Sequence, residues 1–301
     1  MKTTGNIAIA CGIAAVGAIL IGKNRAKHET SVHTHIDTAR TFNRSSALLA
    51  LSVLADSAME HYRGSFDNPA MYTPLVVSAL SLLAGLHGGR DHDPQRHRVR
   101  DSVYVGAALA GVAGTAFHLY NITKRPGRWS WHNLFYAAPI GAPMALLLSG
   151  ALGAVAERLR DEPRHEPRLF GMPAGQSLAL LTSAGLVGTL GEVALLHFRG
   201  SFQNPAMYAP IVIPPIASAL LVNTAIGAPR PRWFTRLWLR MTTALGFIGV
   251  GFHARGIARN QGGWRNWSQN LFNGPPLPAP PSFSALALAG LAALRLRETE
   301  R

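Results

Sequence analysis

The stretch HYRGSFDNPAMYTP, residues 61–74, returns as HFRGSFQNPAMYAP at residues 197–210, and this near-copy decides how the chain is organised. From Arg63 to Pro74, ten of twelve residues are identical to the residue 136 positions later. Such a close copy of a polar stretch indicates an internal repeat, in which one structural unit occurs twice.

The similarity extends beyond this motif. The pair FH at 117–118 matches FH at 252–253, and ERLR at 157–160 stands opposite LRLR at 294–297. The stretch W…NLFYAAPIGAP from Trp129 matches W…NLFNGPPLPAP from Trp264, with an insertion of two residues. The sequence therefore predicts two copies of a unit of about 115 residues.

The composition favours a membrane protein. Hydrophobic residues make up 48% of the chain and charged residues only 15%, against roughly 25% charged in soluble domains. The apolar residues fall in blocks such as 7–22, 102–117 and 142–156. Helices are the expected form, because a spanning segment must satisfy its backbone hydrogen bonds internally. Since several blocks are shorter than the ~20 residues of a span, a soluble α-protein with buried helices is the alternative.

The predicted fold is an all-α, polytopic helical membrane protein with one leading helix, two parallel four-helix repeats and about nine transmembrane helices. The apolar segments lie near 46–62, 73–87, 102–119, 138–156, 177–197, 208–227, 241–254 and 282–296. Four segments per unit give both copies the same orientation. The predicted divisions are a leading helix and basic linker at 1–45, repeat 1 at 46–160, a linker at 161–176, and repeat 2 at 177–301.

The charge distribution predicts the orientation. The loops on one side, including 23–45, 88–101, 157–176 and 228–240, carry with the C-terminus 20 of the 29 Lys and Arg residues. By the positive-inside rule this side is cytoplasmic. We expect a bacterial-type inner (plasma) membrane protein with its N-terminus outside, its C-terminus in the cytoplasm and the repeated motifs on the periplasmic face.

The net charge of +14 is expected to orient the protein and attract anionic lipid. Nucleic acid is not an expected partner, because no recognisable binding motif accompanies the basic stretches. The histidines within 28–37 and 87–97 are expected to be solvated loop residues.

The first apolar block has features of a retained helix. It carries a weakly basic start, no A-x-A cleavage site and basic residues behind it, unlike a cleaved signal peptide. The single cysteine, Cys11, lies inside it and excludes a disulfide within one chain.

Four histidines occupy matching places near the predicted outer surface. His61 and His197 end one repeated helix, and His118 and His253 end another. Two pairs of imidazoles are candidate ligands for a haem-like cofactor or a transition metal. Met71 and Met207 lie in the same layer, so a copper site is a further alternative. The Gly-rich helices around His118 and His253 admit either a neighbouring helix or a flat macrocycle.

The repeated motif also suggests an anion site. In each copy an Asn–Pro pair is a good helix start, because the Asn side chain caps free N–H groups and Pro suits the first helical position. With Arg63 and Asn68, or Arg199 and Asn204, each copy becomes a candidate site for an anionic group. The alternative role for each arginine is to anchor its short loop or to bind a lipid headgroup.

Three acidic residues lie inside apolar segments. Asp56 and its counterpart Glu192 lie at predicted membrane depth, and Glu60 follows Asp56 by one helical turn. Such carboxylates usually serve a proton, cation or ligand path. The alternative is a structural pair with Arg63, Arg199 or a histidine.

These features support three hypotheses. The first is a His/carboxylate/Arg site that holds a metal or haem-like cofactor for membrane electron transfer, with a periplasmic or membrane redox partner. The second is a proton- or cation-coupled transporter of a small anionic solute. The third is a non-catalytic membrane scaffold. No Walker A loop, GxGxxG, HExxH or GxSxG motif points to a familiar enzyme class.

Overall fold

A computed structural model describes residues 34–137, 139–162 and 167–300, and about 80% of these residues are helical. The expectation of an all-α protein is confirmed at this level. The predicted leading helix at 7–22, with Cys11, lies outside the described residues.

The described helices follow the same order in both halves of the chain. The first half contains α1 (Thr34–Arg63), α2 (Thr73–Gly88), α3 (Arg98–Lys124), the short α4 (Trp131–Tyr136) and α5 (Gly141–Asp161). The second half contains α6 (Ala174–Arg199), α7 (Ala209–Ile226), α8 (Trp233–Arg259), the short α9 (Trp267–Asn273) and α10 (Pro281–Thr299). Between them lies a small antiparallel hairpin of β1 (Arg168–Leu169) and β2 (Met172–Pro173).

Among the described residues, five helical segments are long and apolar enough to cross a membrane. They are Pro69–Gly88, Arg98–Lys124, Gly141–Asp161, Ala174–Arg199 and Pro205–Ile226. This agrees with a membrane protein and with a lipid bilayer as its surroundings. The count of nine spans and the orientation of the termini stay predictions.

The helices pack in the same pattern within each half. In the first half α1 packs on α2 and α5, and α3 packs on α5; in the second, α6 packs on α7 and α10, and α8 packs on α10. The halves meet where α1 packs on α10 and α5 on α6. A single apolar cluster includes Phe42, Leu152, Leu178 and Leu286 and so draws on both halves. We call the end where α1 and α6 finish the motif end, and the opposite end the network end.

The first helix begins earlier than the sequence suggested. α1 starts at Thr34, so residues 34–45, expected in a cytoplasmic linker, are helical. The segment looks like a loop because it is polar, but four of its polar side chains are buried, namely His35, Thr38, Asn43 and Ser45. Asn43 Nδ2 donates to Glu157 Oε1 (3.2 Å), and Ser46 Oγ donates to the carbonyl of Ser149 (2.7 Å). His35, expected to be solvated, is only 2% exposed.

Other boundaries also differ from expectation. α5 continues to Asp161 and takes in residues predicted to lie in the loop at 157–176. α8 begins at Trp233, inside the predicted loop at 228–240. The short helices α4 and α9 were not expected, because six or seven residues carry too little periodicity to be recognised.

Candidate functional site at the motif end

The repeated motif forms the same corner in both halves. Asn68 Oδ1 accepts a hydrogen bond from the backbone N–H of Ala70, and Asn204 does the same with Ala206, both at 2.9 Å. Each Asn therefore caps a 3₁₀ turn, Pro69–Tyr72 or Pro205–Tyr208, which confirms the predicted capping role.

The aromatic residues of the motif stabilise the corner. Before each 3₁₀ turn, a Ser–Phe pair adopts a left-handed backbone, with φ of 54° and 51° at Ser65 and Phe66. The corresponding angles at residues 201 and 202 are 55° and 46°. Phe66 stacks on Tyr72, with ring centroids 4.4 Å apart, and residues 202 and 208 stack at 4.6 Å. Most residues of the motif therefore have a structural role in one tight helix-to-helix corner.

The four candidate histidines all bond to backbone carbonyl oxygens through Nδ1. The pairs are His61 with Met71 (2.6 Å), His197 with Met207 (2.9 Å), His118 with Pro139 (2.6 Å) and His253 with Pro276 (2.6 Å). A carbonyl oxygen only accepts hydrogen bonds, so Nδ1 must carry the proton. In the neutral ring Nε2 then keeps its lone pair and is the atom able to bind a metal.

The histidines form two pairs, one in each half. His61 lies close enough to His118 for their charges to interact, and His197 stands in the same relation to His253. Each pair therefore connects the first long helix of its half, α1 or α6, with the third helix, α3 or α8. The structure thus places the four predicted residues in two equivalent local arrangements.

The three candidate carboxylates also come together, across the two halves. Asp56 lies within electrostatic range of both Glu60 and Glu192. Glu60 Oε1 pairs with Arg63 at 2.8 Å. In the part of the chain that the structure describes, the ion pairs do not include Asp56 or Glu192. The carboxylate of Glu192 instead lies against Gly141, in the place that a Cβ there would occupy, and so at the positive end of α5.

The candidate anion-binding arginines have partners within the protein. Arg63 pairs with Glu60, while Arg199 Nη1 donates to the carbonyl oxygen of Phe135 (2.9 Å) and its guanidinium lies over the ring of Tyr136. The side chains of Asn68 and Asn204 are occupied as caps. Anion binding at these four residues stays a prediction, and the bonds to Glu60 and Phe135 match the alternative of loop anchoring.

Ring stacking joins the two halves at this end. Tyr62 stacks on Phe272 with centroids 5.2 Å apart, and Phe198 stacks on Phe135 at 5.8 Å. Tyr62 and Phe198 occupy the same place in the two motifs, so the contact between halves is made twice. The histidine and carboxylate layer is thereby closed by aromatic rings from α4 and α9.

The glycines near the histidines serve helix packing. A Cβ at Gly111 would meet the backbone of Leu147 in α5, and one at Gly249 would lie 2.7 Å from Pro280 Cβ. Of the two alternatives for these Gly-rich helices, close approach of a helix is confirmed at these positions. The methionines pack within their corners, where a Cβ at Gly64 or Gly200 would lie 3.0 or 3.1 Å from the Cε of Met71 or Met207.

The side chains do not form a three-ligand metal site. Within residues 34–137, 139–162 and 167–300, no three His, Cys, Asp or Glu side chains are grouped so that they could hold a metal ion. The histidines of this layer therefore suit a metal centre that takes only one or two ligands from the protein.

A second polar cluster lies at the network end and was not predicted. Glu157 is fully buried, and its carboxylate pairs with Arg100 (2.9 Å) and lies 3.5 Å from Arg160 Nε. Arg100 also binds Asp91 (2.7 Å), and Tyr104 donates its hydroxyl to Asn43. The sequence contains one signal for this cluster, because Glu157 and Arg160 lie one helical turn apart at the end of an apolar segment. The same pattern is equally typical of a solvated helix end.

Comparison with protein-family models, with curated proteins and with solved structures finds no match to this chain. The class that the fold defines is a helical protein with several helices able to span a membrane. Its function has to be argued from the contacts above.

Proposed function

We propose that this protein is an integral membrane protein of electron transfer in which His61 with His118, and His197 with His253, each hold a haem-like cofactor. The observation that carries the proposal is the shared Nδ1 bond of all four histidines. It fixes the tautomer and leaves four Nε2 lone pairs, in two pairs, near one end of the bundle.

A haem-like group suits this ligand set better than a bare metal ion. A structural or catalytic metal ion usually takes three or four ligands from side chains. A haem iron takes four from its macrocycle and only one or two from the protein. Two pairs of histidines without a third ligand therefore favour the macrocycle. The rest of the layer, with its aromatic rings and half-buried carboxylates, would set the polarity around the group.

The architecture belongs to the same proposal. We infer two parallel four-helix repeats and a leading helix, about nine spans in a bacterial inner membrane, with the motif end on the periplasmic side. Support comes from the repeated corners, the matched histidine bonds and the excess of Lys and Arg in the segments predicted to lie on the opposite side of the membrane. A redox partner would approach the motif end from the periplasm or from within the bilayer.

The test is an optical spectrum of the full chain, purified in detergent from cells supplied with a haem precursor. We expect a haem band in the wild type and its loss when all four histidines are changed to Ala. The matched control is His132→Ala, because His132 lies at the same end but packs on Tyr136. A colourless, metal-free and folded wild type would overturn the proposal and leave the scaffold hypothesis.

A second candidate function rests on the carboxylates. Asp56, Glu60 and Glu192 lie within electrostatic reach on two helices from different halves, as a proton or cation path through a transporter of a small anionic solute would require. Uptake in vesicles that contain the protein tests this function. Loss of proton-coupled uptake in Asp56→Asn with Glu192→Gln would support it, whereas unaltered uptake would exclude a role for these groups.

A further inference from the structure

A basic pocket lies at the motif end, apart from the histidines. It is a shallow concavity between the end of α3 and the turn that follows, lined by Tyr120, Thr123 and residues 124–128. Lys124, Arg125 and Arg128 bring three positive charges to it. Neither of the two proposed functions uses these side chains.

Within the described residues, no ion pair neutralises these three charges. Residues 102–156 contain no Asp or Glu, and in the described ranges the ion pairs leave out all three side chains. Lys124 Nζ lies 4.7 Å from the ring centre of Tyr120, and Arg125 Nη1 lies 3.3 Å from the carbonyl oxygen of Tyr136. The cations are therefore held around the concavity without an anionic partner from these segments.

The second half of the chain supplies an internal comparison. Gly127 and Arg128 have φ of 83° and 41°, and the matching residues, Gly262 and Gly263, have φ of 80° and 52°. Glycine adopts this left-handed conformation freely, whereas a residue with a side chain does so at a cost. At the place where the second copy has Gly263, the first copy has an arginine, although the backbone conformation there favours glycine. The position therefore points to a use for the charge.

The neighbouring position shows the same difference. Alignment of Trp129 with Trp264 places Arg125 opposite Asn260 and Lys124 opposite Arg259. The second copy keeps the turn but has only one of the three cations. The three cations thus come together at this turn in the first half, whereas the matching positions of the second half hold one.

Exposed aromatic side chains lie in the pocket lining and in the residues that follow it along the chain. Trp131 is 72% exposed and Trp129 58%, and Tyr120 and Tyr136 are also more than half exposed. Amphipathic rings of this kind favour the headgroup layer of a membrane. Phosphate is the anion of that layer, and it accepts charge-assisted hydrogen bonds from Lys and Arg.

We propose that Lys124, Arg125 and Arg128 bind the phosphate group of an anionic phospholipid headgroup. The rings of Trp129 and Trp131 lie among the lipid glycerol groups, and the three cations close around the phosphate from the protein side. The site fixes one lipid at the end of α3 in the first half.

The test is a binding titration of the full chain in detergent with phosphatidylglycerol, followed by native mass spectrometry. Lys124→Gln, Arg125→Asn and Arg128→Gly should each weaken binding about fivefold, and Arg128→Gly should do so without lowering the melting temperature. Arg259→Gln is the matched control, since it removes a cation from the second half, and it should bind like the wild type.

Two results would overturn the proposal. One is equal phosphatidylglycerol binding by the wild type and all three variants of the pocket. The other is equal retention of phosphatidylcholine, or displacement of the lipid by an equal concentration of inorganic phosphate, because the site would then not select an anionic headgroup. If one variant fails to fold, the other two still decide the question.

Discussion

His118 Nδ1 lies 2.6 Å from the carbonyl oxygen of Pro139, and this bond ties the third helix of the first half to the segment that leads into α5. The second half repeats it between α8 and the segment before α10. In both cases the residue four positions later is also a proline, Pro143 or Pro280, which has no N–H to donate to this carbonyl. The carbonyl is therefore free to orient the ring. The bond therefore has two effects, which are to position a helix start and to present Nε2.

The capped corner should contribute measurably to stability. Replacing Asn68 with Ala removes the acceptor for the N–H of Ala70, and we expect a loss of about 1 kcal/mol in the free energy of unfolding. Asn204→Ala should lose a similar amount. Denaturant unfolding in detergent measures both. The control is Asp67→Gln, which copies residue 203 and should change little; an equal loss there would show that the cap is not responsible.

The contact between Glu192 and Gly141 should not tolerate a side chain. A Cβ at position 141 would occupy the place of the Glu192 carboxylate, so Gly141→Ala should destabilise the protein by about 1–3 kcal/mol. Gly188→Ala is the matched control, because nothing lies within 4 Å of a Cβ there. Adding Glu192→Ala to Gly141→Ala should recover part of the loss. Additive effects in this double-mutant cycle would contradict the contact.

The buried network should be sensitive to the loss of its central carboxylate. Glu157→Gln leaves Arg100 and Arg160 buried beside a neutral group, and removal of one partner from a buried pair costs about 3–5 kcal/mol. We expect a loss of stability near the lower end of this range, because Asp91 still pairs with Arg100. Asp37→Asn removes an exposed ion pair with Arg40 and should cost under about 1 kcal/mol. Equal melting temperatures for the two variants would refute a structural role for the network.

Acid should weaken the loop at residues 89–97. Burial of the Asp91 carboxylate raises its pKa, but the backbone N–H of Asp93 and the guanidinium of Arg100 outweigh burial and hold the pKa below its ordinary value of 3.8. The contribution of this carboxylate to stability is therefore complete above the unfolded pKa and is lost as pH falls through the folded one.

The measurement is the melting temperature of wild type and Asp91→Asn as pH is lowered from 7 to well below the ordinary carboxyl pKa of about 4. The wild type should be the more stable at pH 7, and the two curves should converge in acid. A constant difference across this range would contradict the role assigned to Asp91.

The sequence was informative where local chemistry decides the structure. The Asn–Pro pair at 68–69 predicts a capped helix start because the cap involves only residues two positions apart. The apolar blocks and the copied stretch likewise predict helices in a recurring order. Each of these predictions depends only on residues that are close together along the chain, so a single sequence is enough to make it.

The contacts between distant segments could not be predicted in this way. Asn43, Arg100 and Glu157 meet only because α1, α3 and α5 pack together, and their spacing along the chain carries no trace of that. The sequence predicts Glu192 as a carboxylate at membrane depth but not its contact with Gly141, because a glycine that makes room for a distant side chain leaves no signature in a sequence. The start of α1 was missed since polar residues that bond to each other inside a bundle resemble a loop.

The central claim is that each half of the chain holds one haem-like group through its own pair of histidines. The most direct test is the haem content per chain, measured by pyridine haemochrome assay on detergent-purified protein. We predict two haems in the wild type, one in His61→Ala with His118→Ala, one in His197→Ala with His253→Ala, and none in the fourfold variant. Wild-type protein that is folded and contains no haem, or a content that these histidines do not change, would contradict the account.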